Sequence, residues 1–572
     1  MEKSVERTQR TVITLLFGIL FSLSLLIAAI WGGHDLYVRW QEKRLVRRAT
    51  FDIEHGDERK ASLAARSILE MKPSSAPAAR IMAELAERTG ERSALDWRRK
   101  VSQLDPHSVD DALALVRSAV QFNDLATAER ALTGVDENGR NTAPYHAASA
   151  LVAQSKHQDE KAEAEWSEAL RLVPDDKSYQ LHLGMLRMRA NDPERRAVGD
   201  AMLTALRSDP AQRSAATRAL LNAAVARRED PRKLMELARE LQAYPEATWN
   251  DRLVFLDLLH ATRDPQFSSY LTELEKKAVD DPGSLAALLS WMSRSRLNLL
   301  AFDYIKTLPA ETLQKWPIPV AIADVFVQLS KWQELEAMTT KAQWNRFDFL
   351  RHAYLSRALR EQGKSAAAEH DWATAAKQAS EQSDFLSVLI QTASEWKWEN
   401  ETTDLLWSLS KRPEKQKGAF LALYRNYVKA ADTQGLHRVL VRLSDLDPTN
   451  LDVQNNRAQV SLLLDANPPE ARRLAADVYN KSPKNPAYIT TYAYSLLTQG
   501  NVKEAVRIMN SLSAEQLSEP IISAYYGICL AATGDEKARS YLDLGKQANL
   551  LPEEKALIDK AYASLNSRGR SR

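Results

Sequence analysis

Few residues in this sequence have the types and spacing that catalysis or cofactor binding requires. Gly363-Lys364-Ser365 matches the last three residues of a phosphate-binding loop, but Ala358 stands where that loop needs its first glycine. The loop holds phosphate with closely spaced backbone amides, which a glycine-rich turn presents. The same three residues are typical of a turn between two helices, and we predict that structure here.

The histidines and the cysteine do not form a recognisable metal site or nucleophile. The ten histidines are scattered, with no H-E-x-x-H motif and no pair at ligand spacing beside a carboxylate. Cys529 is the single cysteine, which excludes an intramolecular disulfide and a cysteine-cluster metal site. A G-x-S-x-G motif and a glycine-rich dinucleotide loop are also absent from the sequence. We therefore expect no enzyme activity, no metal and no cofactor.

A pattern of small and large apolar residues recurs along the chain. Ala162, Trp166 and Ala169 lie four and three residues apart, on one face of a helix that Pro174 ends. We interpret Trp166 as a core residue of that helix. Equivalent positions recur at intervals of 33 to 35 residues in two stretches, at Ala61, Ala94, Ala128 and Ala162, and at Leu436, Ala471, Ala505 and Ala538. Ala368 begins a further copy of the motif.

A period of 34 residues with two helices per unit resembles the tetratricopeptide repeat (TPR) family, in a membrane-anchored bacterial type. The resemblance covers the chain after residue 50 and implies an all-α fold, a TPR-like α-solenoid built as a superhelix of helical hairpins. The 572 residues fit such an array, because its units touch only their neighbours and need no single large core. The length divided by the period predicts roughly 13–15 units. The resemblance also implies a concave groove, lined by the first helices, that binds other proteins.

Tyrosine is concentrated near the C-terminus, where amphipathic rings suit a protein interface. Eight of the 17 tyrosines lie there: Tyr479, Tyr488, Tyr492, Tyr494, Tyr525, Tyr526, Tyr541 and Tyr562. We predict that Tyr494, Tyr525, Tyr488 and Asn456 line the groove and bind a peptide or helix of a partner protein. The alternative is that some of these rings fill packing positions between helices.

Residues 11–31, from Thr11 to Trp31, carry no charge and are long enough to cross a hydrocarbon core of roughly 30 Å. We predict a single transmembrane helix with Trp31, Tyr37 and Trp40 as interfacial aromatics. A cleaved signal peptide is the alternative, but its apolar stretch is shorter, about 7–15 residues. Positive charges on the two sides are nearly balanced, and long domains translocate largely regardless of charge. We expect a bacterial inner-membrane protein with an extracytoplasmic solenoid, and a cytoplasmic solenoid as the alternative.

The basic segment at residues 32–50 has two interpretations. It contacts anionic lipid head groups, or it is a helix that simply leads into the first repeat.

Between residues 211 and 350 the repeat register is poor, and a boundary between two solenoid segments is possible near residues 245–250 or 309–319. We predict this order of segments: a short tail (1–10), a transmembrane helix (11–31), a basic juxtamembrane segment (32–50), TPR-like repeats (51–210), divergent helical repeats (211–350), TPR-like repeats (351–552), and a capping helix with a basic tail (553–572).

Positive and negative charges nearly balance in this sequence. Charged residues make up 27% of the chain but balance to a net charge of +2, which gives no bias toward nucleic acid. Our hypothesis is a membrane-anchored scaffold that recruits or organises other proteins, in an envelope or polysaccharide-export assembly. We expect neither nucleic acid nor a small-molecule substrate. The alternative is a structural spacer or self-assembling repeat protein without a dedicated peptide ligand.

Overall fold

The computed structural model describes residues 36–569, with side chains through residue 567. Within that range the chain forms α-helices joined by short turns and one 3-10 helix, Asn345–Phe347, and it contains no β-strand. The predicted all-α fold is therefore confirmed for residues 36–569. The predicted span at residues 11–31 lies outside the described residues. Among the helices that are described, none combines the length and the apolar character needed to cross a bilayer.

The chain divides into two compact units, Met1–Leu274 and Glu275–Arg572. The division falls inside one helix, Phe267–Ala278, and at neither of the two positions considered from the sequence. The helices that end with this one are α1 (36–54), α2 (Glu58–Met71), α3 (Ala76–Arg88), α4 (Ser93–Leu104), α5 (Val109–Gln121), α6 (Leu125–Thr133), α7 (Glu137–Arg140), α8 (Ala143–Ser155), α9 (Asp159–Leu172), α10 (Lys177–Met188), α11 (Pro193–Leu206), α12 (Arg213–Ala226), α13 (Pro231–Gln242), α14 (Trp249–Ala261) and α15 (Phe267–Ala278).

The remaining helices belong to the second unit. They are α16 (Pro282–Arg294), α17 (Asn298–Thr307), α18 (Ala310–Leu313), α19 (Ile318–Gln328), α20 (Trp332–Lys341), α21 (Asp348–Glu361), α22 (Ser365–Ala379), α23 (Ser383–Glu395), α24 (Glu399–Leu409), α25 (Gln416–Ala430), α26 (Thr433–Leu446), α27 (Leu451–Leu463), α28 (Pro468–Lys481), α29 (Pro486–Leu497), α30 (Val502–Met509), α31 (Ala514–Leu517), α32 (Pro520–Thr533), α33 (Ala538–Gly545) and α34 (Pro552–Gly569).

Consecutive helices pair as a first and a second helix joined by a tight turn. Residues 36–569 contain fifteen such pairs, which agrees with the 13–15 units expected from the length. The pairs are α1–α2, α3–α4, α5–α6, α8–α9, α10–α11, α12–α13, α14–α15, α16–α17, α19–α20, α21–α22, α23–α24, α25–α26, α27–α28, α29–α30 and α32–α33. The basic segment at residues 36–50 thus belongs to the first helix of the first pair.

One residue with a positive φ stands in the turn of almost every pair. These residues are Gly56, Gly90, Asn123, His157, Arg228, Arg263, Arg296, Ser330, Gly363, Lys397, Ala431, Asp465, Gly500 and Gly534. Successive members lie 33–35 residues apart, except for one interval of 71 residues from His157 to Arg228 that spans the α10–α11 turn. The period therefore continues through residues 211–350, where the sequence pattern is poor.

The identity of these turn residues explains why the sequence conceals the period. A left-handed conformation costs an L-residue about 1–2 kcal/mol, and glycine avoids that cost. Yet only five of the fourteen turn residues are glycine. In the other nine turns, the packing of the two helices must offset the strain. Gly363 is one of the five, with φ of 76°, and lies between α21 and α22. The turn predicted for Gly363-Lys364-Ser365 is confirmed.

The apolar residues that define the repeat, all alanine except Leu436, lie on second helices and are buried. None of them is more than 3% exposed: Ala61, Ala94, Ala128, Ala162, Ala368, Leu436, Ala471, Ala505 and Ala538. Trp166 of α9, which is 2% exposed, stacks on His182 of α10 with 4.7 Å between ring centroids and donates its Nε1–H to Gln154 of α8 at 3.3 Å. Its interpretation as a core residue is confirmed.

A half-buried aspartate joins two first helices of the second unit. Asp324 of α19 accepts a hydrogen bond of 2.5 Å from the hydroxyl of Tyr354 of α21, a side chain that is buried between the rings of Trp344 and Trp396. Burial raises the pKa of Asp324 to about 6, although the Tyr354 hydrogen bond lowers it in part, and the charge of Glu395 adds to the rise. The protonated form of Asp324 is therefore favoured by folding.

The turn strain predicts opposite effects for two glycine substitutions. Gly363→Ala should destabilise α21 and α22 by about 1 kcal/mol, because the added Cβ meets no atom within 4 Å but φ is positive. Gly418→Ala, the matched control inside α25, also meets open space and should stabilise its helix by about 0.5–1 kcal/mol. Amide hydrogen exchange of these helices measures both. Shifts in the same direction for the two variants would contradict the strain.

The environment of Asp324 predicts a stability that falls as pH rises. Between about pH 4 and pH 6 the unfolded chain releases the Asp324 proton while the folded chain keeps it, so stability is lost across that window. Asp324→Asn keeps a carbonyl acceptor for Tyr354. It should match the wild type near pH 4 and exceed it at pH 7.5 by about 1–3 kcal/mol in urea unfolding. Asp324→Ala, which removes the acceptor, should be less stable than the wild type at pH 4.

Candidate partner-binding groove

The last helix of the chain, α34, lies across helices of several hairpins in the second unit. At its start, Thr433 of α26 donates a hydrogen bond to Glu553. Near its end, Tyr562 donates to Asp543 of α33. The helix therefore covers the last hairpin, as a capping helix does, and also reaches back to α26. We call the surface beneath it the C-terminal groove, lined by Gln459 of α27, Tyr494 of α29 and Tyr525 of α32.

A buried carboxylate fixes α34 in this groove. Glu554 is 4% exposed, and its Oε1 accepts hydrogen bonds from the Tyr525 hydroxyl at 2.6 Å and from Nε2 of Gln459 at 3.1 Å. Its Oε2 accepts the backbone N–H of Leu551 at 2.9 Å. Three donors therefore surround one carboxylate, and such charge-assisted hydrogen bonds are about twice as strong as neutral ones.

The groove curves inward. Gln459 and Tyr525 belong to hairpins that are two positions apart, yet Nε2 of Gln459 donates to the Tyr525 hydroxyl at 3.0 Å. Side chains of hairpins separated by a third hairpin meet directly only if their shared face is concave. The resemblance to the TPR family implies such a face, formed by first helices, and α27, α29 and α32 form it here.

An apolar stripe on α34 packs into the groove below the carboxylate. Ile558, Ala561 and Leu565 follow Glu554 at spacings of four, three and four residues and are buried in the core of the last hairpins. Leu557 packs against both that core and the cluster that contains Tyr494 and Tyr525. This spacing is one face of a helix, so α34 presents a carboxylate and three apolar residues in a row.

Two of the predicted groove residues, Tyr494 and Tyr525, are brought together under α34. Their ring centroids are 5.2 Å apart in an edge-to-face arrangement, and both side chains are buried. Burial, together with the charge of Glu554, raises the pKa of Tyr494 to about 12 and raises the pKa of Tyr525 well above its usual range. Both hydroxyls therefore stay protonated at neutral pH, and the Tyr525 hydroxyl acts as a donor. A partner protein reaches these rings only when α34 moves.

The other two predicted residues occupy different surroundings. Asn456 is half-buried, donates to the Tyr424 hydroxyl at 3.4 Å, and lines a cavity of about 160 Å³ beside Gln459 and Glu554. Tyr488 is buried and donates to Asp452 of α27 at 2.6 Å, and burial with this bond raises its pKa to about 12. Asn456 therefore belongs to the groove, whereas Tyr488 links α29 to α27. Partner binding by these four residues stays a prediction.

Sequence reasoning missed Gln459 and Glu554, the two residues that complete the polar end of the groove. They are 95 residues apart, and each by itself looks like an ordinary polar residue on a helix. The available signal was the apolar spacing of α34, which continues from Glu554 to Leu565. A carboxylate in register with buried residues indicates a position that faces the protein.

Removing the buried carboxylate should loosen α34. Glu554→Ala leaves the Tyr525 hydroxyl without its acceptor and removes one acceptor of the Gln459 amide, which should cost about 1–3 kcal/mol of docking free energy. Hydrogen exchange of amides in α34 should then be faster by roughly tenfold or more, since 1.4 kcal/mol corresponds to a factor of ten. The control is Asp559→Ala on the exposed face of α34. Equal exchange in the two variants would show that Glu554 does not hold the helix.

Comparisons with known proteins give remote likenesses. No protein-family model matches the chain, and no characterised protein matches its sequence. A solved structure described as the MamA RS-1 ArsTM double mutant is 17% identical, with 30% of this chain and 98% of that chain covered and a TM-score of 0.27. The APC/C hetero-tetramer Cut9–Hcn1 is 13% identical, with 80% of this chain and 96% of that chain covered and a TM-score of 0.28. PilW, a type IV pilus biogenesis factor, is 14% identical, with 41% of this chain and 92% of that chain covered and a TM-score of 0.25. At these TM-scores the likenesses add nothing to the hairpin array seen in the chain itself.

Proposed function

We propose that the protein is a membrane-anchored scaffold that binds a helical segment of a partner protein in the C-terminal groove. The observation that carries the proposal is α34 itself, a helix whose carboxylate and apolar stripe are buried in this groove. Helices that lie in grooves are recognised through anchors at such spacings. The groove therefore supplies both an apolar surface and directional hydrogen-bond donors, and a specific interface requires both.

The contacts of α34 define the chemistry of a suitable partner. An acidic side chain at the first anchor would accept from Tyr525 and Gln459, and apolar side chains four, seven and eleven positions later would replace Ile558, Ala561 and Leu565. A helix without the acidic anchor leaves the buried Tyr525 hydroxyl without its acceptor, which costs about 1–3 kcal/mol. The groove thus favours amphipathic helices that begin with an acidic residue.

Partner binding in this groove competes with α34. The helix is tethered to α33 through residues 546–551, so its effective concentration at the groove is on the order of millimolar. A partner helix must therefore bind more tightly than α34 or meet a chain whose α34 has been released. This competition keeps the apolar groove covered until a suitable partner is present.

The sequence supports the proposed membrane anchor. Residues 11–31 are uncharged and long enough to span a bilayer, and no second such run follows. We place the protein in a bacterial inner membrane with its hairpin array on the extracytoplasmic side. There the array would organise partners of an envelope or polysaccharide-export assembly.

A labelled peptide with the sequence of residues 549–569 tests the groove. It should bind the full-length double variant Ile558→Asp, Leu565→Asp at least about tenfold more tightly than the wild type, because the released α34 no longer competes. A peptide carrying Glu554→Gln should bind less tightly, whereas a peptide carrying Asp559→Asn should bind as well as the original. Fluorescence anisotropy measures all of these affinities.

The outcomes separate the two functional hypotheses. In native membranes, a photo-crosslinker at Asn456 should trap a protein, and excess peptide should abolish that crosslink. If the peptide binds the wild type and the Ile558→Asp, Leu565→Asp variant equally weakly, the groove is not a partner site. If release of α34 instead doubles the mass measured by light scattering, exchange of α34 between copies is favoured, and the protein is a self-assembling repeat protein.

A further inference from the structure

The first helix, α1, has one face against its own unit and one face that the described part of the chain, residues 36–569, leaves uncovered. Ala49 and Ile53 pack against the alanines of α2. On the uncovered side, four large apolar side chains are each more than half exposed: Leu36, Tyr37, Trp40 and Phe51. Their exposure on one helix departs from the rest of the array, where the large residues of first helices are mostly buried.

The exposed charges of residues 36–50 all have the same sign. Five cations are exposed there: Arg39, Lys43, Arg44, Arg47 and Arg48. The one acidic residue in this segment, Glu42, is buried and accepts hydrogen bonds from Lys72 at 2.8 Å and Ser75 at 2.5 Å. Over residues 36–50 the uncovered face of α1 therefore presents only positive charge, and the exposed anion of this helix, Glu54, lies at its far end.

The aromatic residues lie among these cations. The Arg44 guanidinium is 5.5 Å from the centroid of the Trp40 ring, and the rings of Tyr37 and Trp40 are 6.5 Å apart. Trp and Tyr, which combine an apolar body with a polar tip, prefer the interface between hydrocarbon and water. Cations beside them are attracted to anionic head groups. This combination fits a lipid surface better than a purely charged ligand.

The position of α1 in the chain also favours lipid. Five residue steps separate Trp31, the end of the apolar run, from Leu36, so they span at most about 18 Å. If the run crosses a membrane, the start of α1 lies within that distance of the run's end, close to the head groups. Nucleic acid offers the same negative charge but gives no role to the exposed apolar side chains.

We propose that the uncovered face of α1, formed by Leu36, Tyr37, Trp40, Lys43 and Arg47, lies on the anionic head-group layer of the membrane. This inference rests on the proposed membrane anchoring and adds a second contact beside the span. A single span leaves the first hairpin free to rotate about its connection, whereas a docked helix fixes its orientation. The two interpretations of the basic segment, a lipid contact and a helix that leads into the first repeat, are then compatible. One face of α1 packs within the first pair of helices, and the other contacts lipid.

The test uses the full chain in nanodiscs of pure phosphatidylcholine and in nanodiscs with 30% phosphatidylglycerol. A nitroxide is attached at Lys43→Cys, and the native Cys529 does not interfere because it is buried. In anionic discs the label should become more accessible to oxygen and less accessible to a water-soluble nickel chelate than in neutral discs. A label at Lys161→Cys, exposed on α9, is the control and should remain in water in both.

Charge variants complete the test. In the chain labelled at position 43, replacing Arg44, Arg47 and Arg48 by Gln should lower the ratio of docked to undocked chain in anionic discs on the order of a hundredfold. Replacing three exposed cations of second helices, Arg59→Gln, Lys161→Gln and Arg232→Gln, should leave that ratio unchanged.

Each outcome separates the two proposals. If the chain enters nanodiscs but the label at position 43 stays in water in anionic discs, the lipid contact is overturned and the anchoring stands. If the chain does not enter nanodiscs, the proposed anchoring itself fails. Protection of the label by duplex DNA in preference to anionic discs would overturn the lipid contact in favour of a nucleic acid.

Discussion

The structure depends on the close approach of helices at small residues. Most hairpins bury an alanine of the second helix against neighbouring helices, and two of these side chains, Ala162 and Ala505, are completely inaccessible to solvent. A larger residue there would separate the backbones, because interiors are packed too tightly to absorb extra volume. One hairpin cannot bury these faces alone, so every hairpin needs a neighbour on both sides. The array therefore has two ends with special tasks.

Those ends differ from the interior in ways that suit function. At the C-terminal end, α34 covers the concave face of the last hairpins and buries the carboxylate of Glu554 among donors from α27 and α32. At the N-terminal end, α1 packs one face and leaves a basic aromatic face uncovered. The interior hairpins follow the packing rule, whereas the first and last helices carry the residues that do not repeat.

Strain in the turns shows how much the helix packing contributes. Nine turns place a residue other than glycine in the left-handed region, among them Arg228, Arg263, Arg296 and Ser330 within residues 211–350. Each accepts a conformational cost of about 1–2 kcal/mol, which the helices on either side must offset. Because packing can offset this cost, the turn does not require glycine, and the hairpin period continues where the sequence shows no glycine.

The sequence by itself determined the helical class, the period and the buried small residues, since these follow from local spacing on helices and from turn chemistry. It also predicted one groove formed by Tyr494, Tyr525, Tyr488 and Asn456. The structure brings the first two together under α34 and places Asn456 beside them, whereas Tyr488 contacts Asp452. The tertiary structure alone decided the register of residues 211–350, the uncovered face of α1 and the pairing of Gln459 with Glu554. These features depend on contacts between residues far apart in the chain and on strain compensated by packing, and neither leaves a pattern at short spacing.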